Sequence, residues 1–293
     1  MSIKNKLPWR LKIIVKLILS RMPIKYNFWK QLALFTHGDM EKPDYAYDVF
    51  KKHFDKVAFS RQSENFVVLE LGPGDSLFSA MIAYAFGATS VYLVDVDDFV
   101  PSDMKPYFSM ANYLKENGLT TPNMDDATSL KRLLELCNAK YMTSGIFSLR
   151  SIPDQSVDFI WSQAVLEHIR RSDFTSMMSE LRRVIRSDGI CSHCIDLRDH
   201  LGGALNNLRF SERFWESDFM AKSGFYTNRI RYGEMIVLLK DAGFDVKVIN
   251  VKAWKSLPTP RKKLATDFKY LPDEDLCVSV FDVILRPKKQ NTN

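Results

Sequence analysis

The sequence predicts an α/β protein with a mostly parallel sheet of seven strands and helices on both faces. An apolar run, Phe66–Leu71, is followed by two glycines, Gly72 and Gly74, and then by an apolar-periodic segment at 77–86. This order predicts a buried strand, a tight turn and a helix. A second strand at 90–95 ends in an aspartate. Strands and helices then alternate along the chain, which is typical of parallel sheets.

The later elements follow from the same patterns. Further strands are predicted at 139–143, 157–162, 190–197, 245–254 and 276–285, and helices at 104–117, 129–137, 174–185 and 232–242. No helical pattern separates the last two strands, so we expect an antiparallel hairpin at one edge of the sheet. We assign residues 61–293 to this domain, with an aromatic- and arginine-rich insert at about 198–230 that would cap the substrate site.

Residues 1–60 form an expected N-terminal helical arm. Within it, residues 7–22 show apolar positions at helical spacing between basic ones, and Pro23 ends the pattern. Two interpretations remain open, a helix packed on the domain or a helix lying on an anionic membrane surface. The pattern of residues 39–60 predicts a second helix, packed beside the first strand. We expect His53 of this helix at the surface or at the helix end.

Composition excludes several classes of protein. Residues 1–38 carry eight Lys and Arg and no acid, which exceeds the whole net charge of +6 and leaves −2 for the remainder. An acidic body gives no reason to expect nucleic acid as a partner. Four scattered cysteines do not resemble a disulfide framework, so a reducing, cytoplasmic location is expected, with the inner face of the membrane as the alternative. No apolar run reaches the roughly 20 residues needed to span a bilayer.

The glycine turn is not a dinucleotide signature. The pattern G-x-G-x-x-G requires glycine at position 77, where the chain has Leu77. Two glycines still allow a ligand to approach the backbone closely, and the helix that follows offers free N–H groups.

Five stretches together resemble one family. The run Glu70-Leu-Gly-Pro-Gly74, the acid Asp95, and the segments 152–158, 162–168 and 181–189 resemble, in order and spacing, motifs of the class I S-adenosylmethionine-dependent methyltransferases. The resemblance covers roughly residues 64–200 and the C-terminal helix and strands. It implies a Rossmann-like fold, and S-adenosyl-L-methionine as the cofactor.

The resemblance also implies a cofactor site. Asp95 would accept hydrogen bonds from the ribose diol, and Glu70 with the backbone of Gly72 and Gly74 would meet the sulfonium and amino-acid parts. The third glycine of the family's loop is replaced by Ser76. The remaining expected contacts are apolar around adenine and polar near the methionine end: Val96, Ile146, Phe147, Gln163 and His168. For Glu167 and His168, local packing is an equal alternative.

Acceptor chemistry is expected after the fifth strand. A hydroxyl acceptor needs a base, and His200 with neighbouring Asp199 and Asp196 forms a candidate base with its orienting group. These residues could instead cap a turn, and their spacing is weak evidence for a metal, so no metal is expected. Arginines among aromatics in the insert would suit an anionic or sugar-bearing acceptor: Arg198, Arg209, Arg213, Arg229 and Arg231.

The sequence therefore predicts a methyltransferase acting on a hydroxyl of a small or sugar-containing molecule, such as a surface polysaccharide, glycolipid or natural-product precursor. Two alternatives remain, N-methylation of a small amine and a non-catalytic cofactor-binding subunit of a membrane-associated complex. The sequence does not name the acceptor or the oligomeric state.

Overall fold

A computed structural model describes residues 39–59 and 65–289, together with Ile13 and Leu17. The predicted arm helix at 7–22 lies outside the described residues apart from those two positions. The boundary expected at residue 61 also lies outside them.

Strands and helices are numbered along the described part of the chain. The strands are β1 (Phe66–Leu71), β2 (Ala88–Val94), β3 (Ala139–Met142), β4 (Val157–Gln163), β5 (Ile185–Asp196), β6 (Phe244–Ala253) and β7 (Val278–Pro287). The longer helices are α1 (Pro43–Asp55), α2 (Phe78–Ala85), α3 (Lys105–Glu116), α4 (Leu130–Leu136), α6 (Arg171–Val184) and α9 (Tyr232–Asp241). The short ones are α5 (Ile146–Arg150), α7 (Glu212–Trp215), α8 (Asp218–Ala221), α10 (Thr266–Lys269) and α11 (Asp273–Leu276). Three-residue or four-residue 3₁₀ turns occur at Leu166–His168, Asn206–Arg209 and Arg261–Lys263.

The described strands form one sheet in the order β3-β2-β1-β4-β5-β7-β6. Strands β1 to β5 are mutually parallel, and β7 runs antiparallel to both of its neighbours. This confirms the predicted fold class, including the antiparallel edge. The strand order reverses between β1 and β4, and open α/β sheets bind ligands at the carboxyl ends of the strands at such a point.

Two apolar layers cover the sheet because its strands are buried on both faces. One layer holds Phe50 and Phe54 of α1 against Phe159 and Trp161 of β4. The opposite layer packs α6 and α9 against the other face of the same strands. Helix α1 thus contributes to the main core, although it precedes the first strand.

The connections differ most from the sequence prediction. The link between β6 and β7 contains α10 and α11, which are too short for a helical period to show in the sequence. Helix α5 lies in the link between β3 and β4, where the sequence pattern predicts no helix, and it follows Gly145, whose φ is 54°. Residues 198–230 have only short helical turns, and they pack through Trp215, Met220 and Phe225.

An ion-pair cluster fastens α1 to the antiparallel strand. Asp282 of β7 is buried and accepts hydrogen bonds from Lys56 Nζ at 2.8 Å and Lys52 Nζ at 3.4 Å. Burial opposes the charged form of this carboxyl, but the bonds from Lys56 and the Cys194 thiol and the two lysine charges outweigh it. They hold the pKa of Asp282 well below its usual range.

Replacing Asp282 by Asn should lower the free energy of unfolding at pH 7 by about 1 to 3 kcal/mol, because the lysines lose a charged partner. The depressed pKa means that the wild-type advantage is complete above the unfolded-state pKa, about 4, and declines as the pH falls toward the folded-state pKa. Urea unfolding at pH 7 and pH 3 measures both effects. Asp245→Asn, at an exposed position of β6, is the matched control. If the difference in free energy of unfolding between wild type and Asp282→Asn is as large at pH 3 as at pH 7, Asp282 does not have a lowered pKa in the folded protein.

Candidate active site

The glycine turn lies at the carboxyl end of β1 and is held on both sides. Gly72 has a φ of 72° and donates its N–H to the carbonyl of Val94 at 2.8 Å. A Cβ added to Gly72 would lie 2.5 Å from Cγ2 of Val165, the second residue after β4. Only glycine therefore fits here, because any side chain meets both a strained conformation and a neighbouring loop.

Asp95 joins the ends of two neighbouring strands. Its Oδ2 accepts the N–H of Gly74 at 3.0 Å, and its Oδ1 accepts the N–H of Val96 at 2.7 Å. Its backbone carbonyl accepts the N–H of Gly145 at 2.8 Å. The predicted ribose-binding carboxylate and the glycine turn are therefore one hydrogen-bonded unit.

Glu70 is buried beneath this turn. Its side chain is 2% exposed, and Oε2 has no hydrogen-bond partner among the described residues. Burial raises the pKa of Glu70 to about 8, the Ser79 hydroxyl partly offsets this, and the charge of Asp95 adds to it. A buried acid with an unpaired oxygen suits a positively charged or hydrogen-donating ligand.

Apolar side chains lie beside Asp95 and face solvent. Val96 is 71% exposed and Phe147 is 68% exposed, while Ile146 is half-buried. A Cβ on Gly145 would lie 3.4 Å from Cγ1 of Val96, so α5 begins close to the end of β2. Val96 and Phe147 therefore expose apolar surface near the carboxylate, whereas Ile146 packs partly against the apolar layer that holds α6 and α9.

Gln163 ends β4, the strand next to β1 at the point where the strand order reverses. Its Oε1 lies 3.1 Å from Nε2 of His53, whose Nδ1 lies 2.8 Å from Oγ of Ser192. His53 is 1% exposed, so a surface position is wrong, although the residue does lie in the last turn of α1 as the alternative expectation had it. The signal was present in the spacing, because Val49, Phe50, His53 and Phe54 share the buried face of α1.

Two histidines contact each other beyond β4 and β5. His168 Nδ1 lies 2.8 Å from the carbonyl oxygen of Tyr226, so this nitrogen carries a proton and donates it. The Nε2 atoms of His168 and His200 are 3.1 Å apart, and the rings stack with centroids 4.8 Å apart. Both residues are exposed to solvent. The structure thus pairs a predicted cofactor residue with the predicted base.

The two aspartates near His200 are engaged elsewhere. Asp199 is buried and accepts backbone N–H groups from the turn that follows it: Leu201, Gly202, Gly203 and Asn206. Asp196 forms a bidentate pair with Arg198. The expectation that Asp199 orients the imidazole of His200 is corrected, since its carboxylate caps the turn and His168 contacts the imidazole instead.

Glu167 is a second buried acid at this edge. Its Oε1 accepts the backbone N–H of Asp196 at 3.2 Å, and its Oε2 has no partner among the described residues. Burial raises the pKa of Glu167 well above its usual range, its own backbone N–H offsets part of this, and the charge of Asp196 adds to it. Glu167 therefore holds the end of β5 through this hydrogen bond, which is the local-packing alternative.

Two of the five insert arginines are structural. Arg229 is buried, lies over the rings of Trp215 and Phe268, and donates to the carbonyl of Phe210. Arg231 donates to four backbone carbonyls, those of Leu197, Asp275, Leu276 and Val278. Burial lowers the pKa of Arg231 to about 10. Neither guanidinium is placed to bind an anionic acceptor, which corrects that expectation for these two residues.

The two described arm residues contact the insert. Ile13 is buried and packs with Leu201, Trp215 and Tyr226, and Leu17 packs against the same cluster. Leu201 follows His200, and the carbonyl of Tyr226 accepts the bond from His168. The arm therefore contacts the segments that hold the histidine pair.

The described residues include neither a membrane-spanning helix nor a metal-ligating cluster. None of their helices has the length and apolar character needed to cross a membrane. Nor do three or more of their His, Cys, Asp and Glu side chains gather where a metal could bind.

Part of the chain matches a protein-family model. Residues 108–192 match the model of a family described as a methyltransferase domain. The matched stretch contains β4, the histidine at 168 and the turn into β5, and the glycine turn precedes it. No curated protein matches the chain.

Solved structures give weak similarities. The YcgJ protein of Bacillus subtilis is 14% identical over 84% of this chain and 99% of its own, with a TM-score of 0.45. A phosphoethanolamine N-methyltransferase of Haemonchus contortus, in complex with S-adenosylhomocysteine, is 15% identical over 84% of this chain and 53% of its own, with a TM-score of 0.44. An arsenic(III) S-adenosylmethionine methyltransferase of Chlamydomonas reinhardtii is 16% identical over 83% and 74%, with a TM-score of 0.45. At these values the similarities carry no argument about the acceptor.

The contact between the glycine turn and Val165 can be tested by a double-mutant cycle. Gly72→Ala should cost about 1 to 2 kcal/mol for the left-handed conformation and about 1 to 3 kcal/mol for the clash with Val165. In Gly72→Ala/Val165→Ala the clash is relieved and only the conformational cost remains, so the two changes should be non-additive. Urea unfolding of the four proteins measures the coupling. Strict additivity would show that Val165 does not contact the turn.

Proposed function

We propose that this chain, in which residues 108–192 match a methyltransferase-domain family, is a class I S-adenosylmethionine-dependent methyltransferase that transfers the methyl group to a hydroxyl oxygen of a small or sugar-containing acceptor. The observation that carries the choice of oxygen is the contact between His168 and His200. An amine needs only to arrive neutral, whereas a hydroxyl must lose a proton, and an oriented imidazole pair suits that task.

The residues at the strand ends fit the cofactor. The turn admits a ligand against the backbone at Gly72, Asp95 offers a carboxylate, and Glu70 has an unpaired buried oxygen for the cationic part. The exposed faces of Val96 and Phe147 suit adenine. S-adenosylmethionine supplies a methyl group on a sulfonium that is already activated. The protein therefore contributes mainly alignment.

The hydrogen bonds of the histidine pair determine which ring nitrogens carry protons. Because Nδ1–H of His168 is committed to the carbonyl of Tyr226, Nε2 of His168 carries a lone pair when the ring is neutral. It can then accept Nε2–H of His200. In this tautomer Nδ1 of His200 carries the lone pair that would receive the acceptor's proton, and the lone pair of His168 would stabilise the resulting imidazolium. The C–O bond forms as the C–S bond breaks.

The cap supports an acceptor with a ring. Phe214 and Phe219 expose 43% and 50% of their surface on the short helices of the insert, and aromatic faces pack well on sugars. The packing of Ile13 and Leu17 on the cap supports an arm that belongs to the domain. The four cysteines are free thiols, which supports a reducing compartment such as the cytoplasm.

His200→Ala should lower methyl transfer to a hydroxyl by about 100-fold or more, because it removes the base. Transfer from methyl-tritiated S-adenosylmethionine to a panel of phenols, glycosides and amines measures both acceptor class and rate. His168→Phe should lower the methyl-transfer rate less than His200→Ala does. It should also shift the acidic limb of the pH–rate profile to lower pH, since the imidazolium of His200 loses a stabilising lone pair. Lys222→Ala, exposed on the cap, is the control. Labelling of amines alone, or full activity of His200→Ala, would contradict the proposal.

The affinity for S-adenosylmethionine should rise with pH up to about 8. Glu70 has a pKa of about 8 and is mostly protonated at pH 7, while a cationic ligand favours its carboxylate form, so binding at pH 7 should release a proton. Calorimetry between pH 6 and pH 9, in buffers of different ionisation enthalpy, measures both quantities. Glu70→Gln removes this linkage while the titration of the ligand itself is unchanged. Equal proton release by wild type and Glu70→Gln would exclude Glu70 as its source.

A further inference from the structure

His53 lies beneath the site but outside every motif that identifies it. It belongs to α1, which precedes the glycine turn, and it is buried between that helix and the sheet. Its ring packs on Trp161 with centroids 5.2 Å apart. Both of its nitrogens contact residues of the central strands, Ser192 of β5 and Gln163 of β4.

The two contacts determine the tautomer of His53. Burial lowers its pKa to about 4, so at neutral pH one ring nitrogen carries a proton and the other a lone pair. The amide oxygen of Gln163 can only accept, which places the proton on Nε2. Nδ1 then accepts the hydroxyl proton of Ser192 at 2.8 Å. The imidazole can thus donate to Gln163 without carrying a charge into the core.

The same bond determines which end of the Gln163 amide faces His53. With Oε1 engaged by the imidazole, the NH₂ group is directed away from α1. Gln163 ends β4 and is half-buried, two residues before Val165, which approaches the turn at Gly72. A ligand group that meets this amide at the crevice between β1 and β4 must therefore be a hydrogen-bond acceptor.

We propose that His53 is a positioning residue, which orients the amide of Gln163 so that its NH₂ group binds the carboxylate of S-adenosylmethionine. The proposal rests on the cofactor site of the proposed function, but not on the acceptor or on His200. The carboxylate is the anionic group of the cofactor, and an oriented amide that donates two hydrogen bonds is complementary to it.

Calorimetric titration of full-length protein tests this with three ligands: S-adenosylmethionine, S-adenosylhomocysteine and 5′-methylthioadenosine, which lacks the amino-acid part. His53→Phe and Gln163→Leu should each weaken binding of S-adenosylmethionine and of S-adenosylhomocysteine by about 3- to 10-fold, the equivalent of one hydrogen bond. They should leave 5′-methylthioadenosine within twofold of wild type. The double variant should bind these two ligands no more weakly than the single variant with the lower affinity, because the two residues act as one unit.

Two further variants separate positioning from folding. His53→Asn retains an N–H donor and should bind S-adenosylmethionine more tightly than His53→Phe, which also covers the case in which the phenylalanine variant does not fold. Val49→Ala removes buried volume from the same helix without touching Gln163, and it should lower Tm but leave all three affinities within twofold.

Three results would overturn the role of His53 alone: unchanged cofactor affinity in His53→Phe or Gln163→Leu, effects that multiply in the double variant, or an equal loss for 5′-methylthioadenosine. A wild-type protein that binds none of the three ligands would instead overturn the cofactor site, and this proposal with it.

Discussion

The hydrogen bond between Asp95 and the backbone of Gly74 is the constraint on which the rest of the site depends. It joins the ends of β2 and β1 at 3.0 Å, and the second oxygen of Asp95 holds the backbone of Val96. The same residue receives the N–H of Gly145, so three loops are held by one side chain and its carbonyl. On the other side of the turn, Gly72 approaches Val165 so closely that a Cβ cannot be accommodated. The turn and the neighbouring loops are thus held by backbone contacts, which tolerate little displacement.

Polar groups beneath the site are kept neutral. Burial raises the pKa of Glu70 and Glu167 and lowers that of His53 and His193. A neutral acid and a neutral imidazole avoid the cost of a buried charge, and each keeps both donor and acceptor capacity. Of these groups, Glu70 lies under the turn, so it is the one that the cationic part of the proposed cofactor would meet.

The insert after β5 has a different construction. Its apolar residues form a cluster separate from the two main layers, and Ile13 and Leu17 of the arm join it. Arginines that could bind ligand in an open loop are used here to satisfy backbone carbonyls, since a segment with few helical or sheet hydrogen bonds leaves many carbonyls to be paired. The insert holds Tyr226, whose carbonyl accepts from Nδ1 of His168, and it places His200 beside that ring.

The sequence by itself determined the sheet, the glycine turn and the acid at the end of β2. These follow from local patterns, since strand periodicity, turn residues and the spacing between them all act within about 30 residues. The predicted adenine residues also lie at one edge of the sheet, because they follow the parallel strands β2 and β3. Tertiary structure decided the partners. Asp199 is nearer than His168 to His200 in the chain, yet it caps its own turn, and a residue 32 positions away contacts the imidazole.

His53 shows the same limit. Its place on the buried face of α1 could be read from apolar spacing, but its bonds to Gln163 and Ser192 span 110 and 139 residues. Nothing in a local pattern indicates which strand a helix covers. Packing of α1 against β4 and β5 creates that contact, because the apolar layer fixes where the helix lies and the buried imidazole must then find partners. The sequence specified the chemical groups, and the fold decided which of them meet.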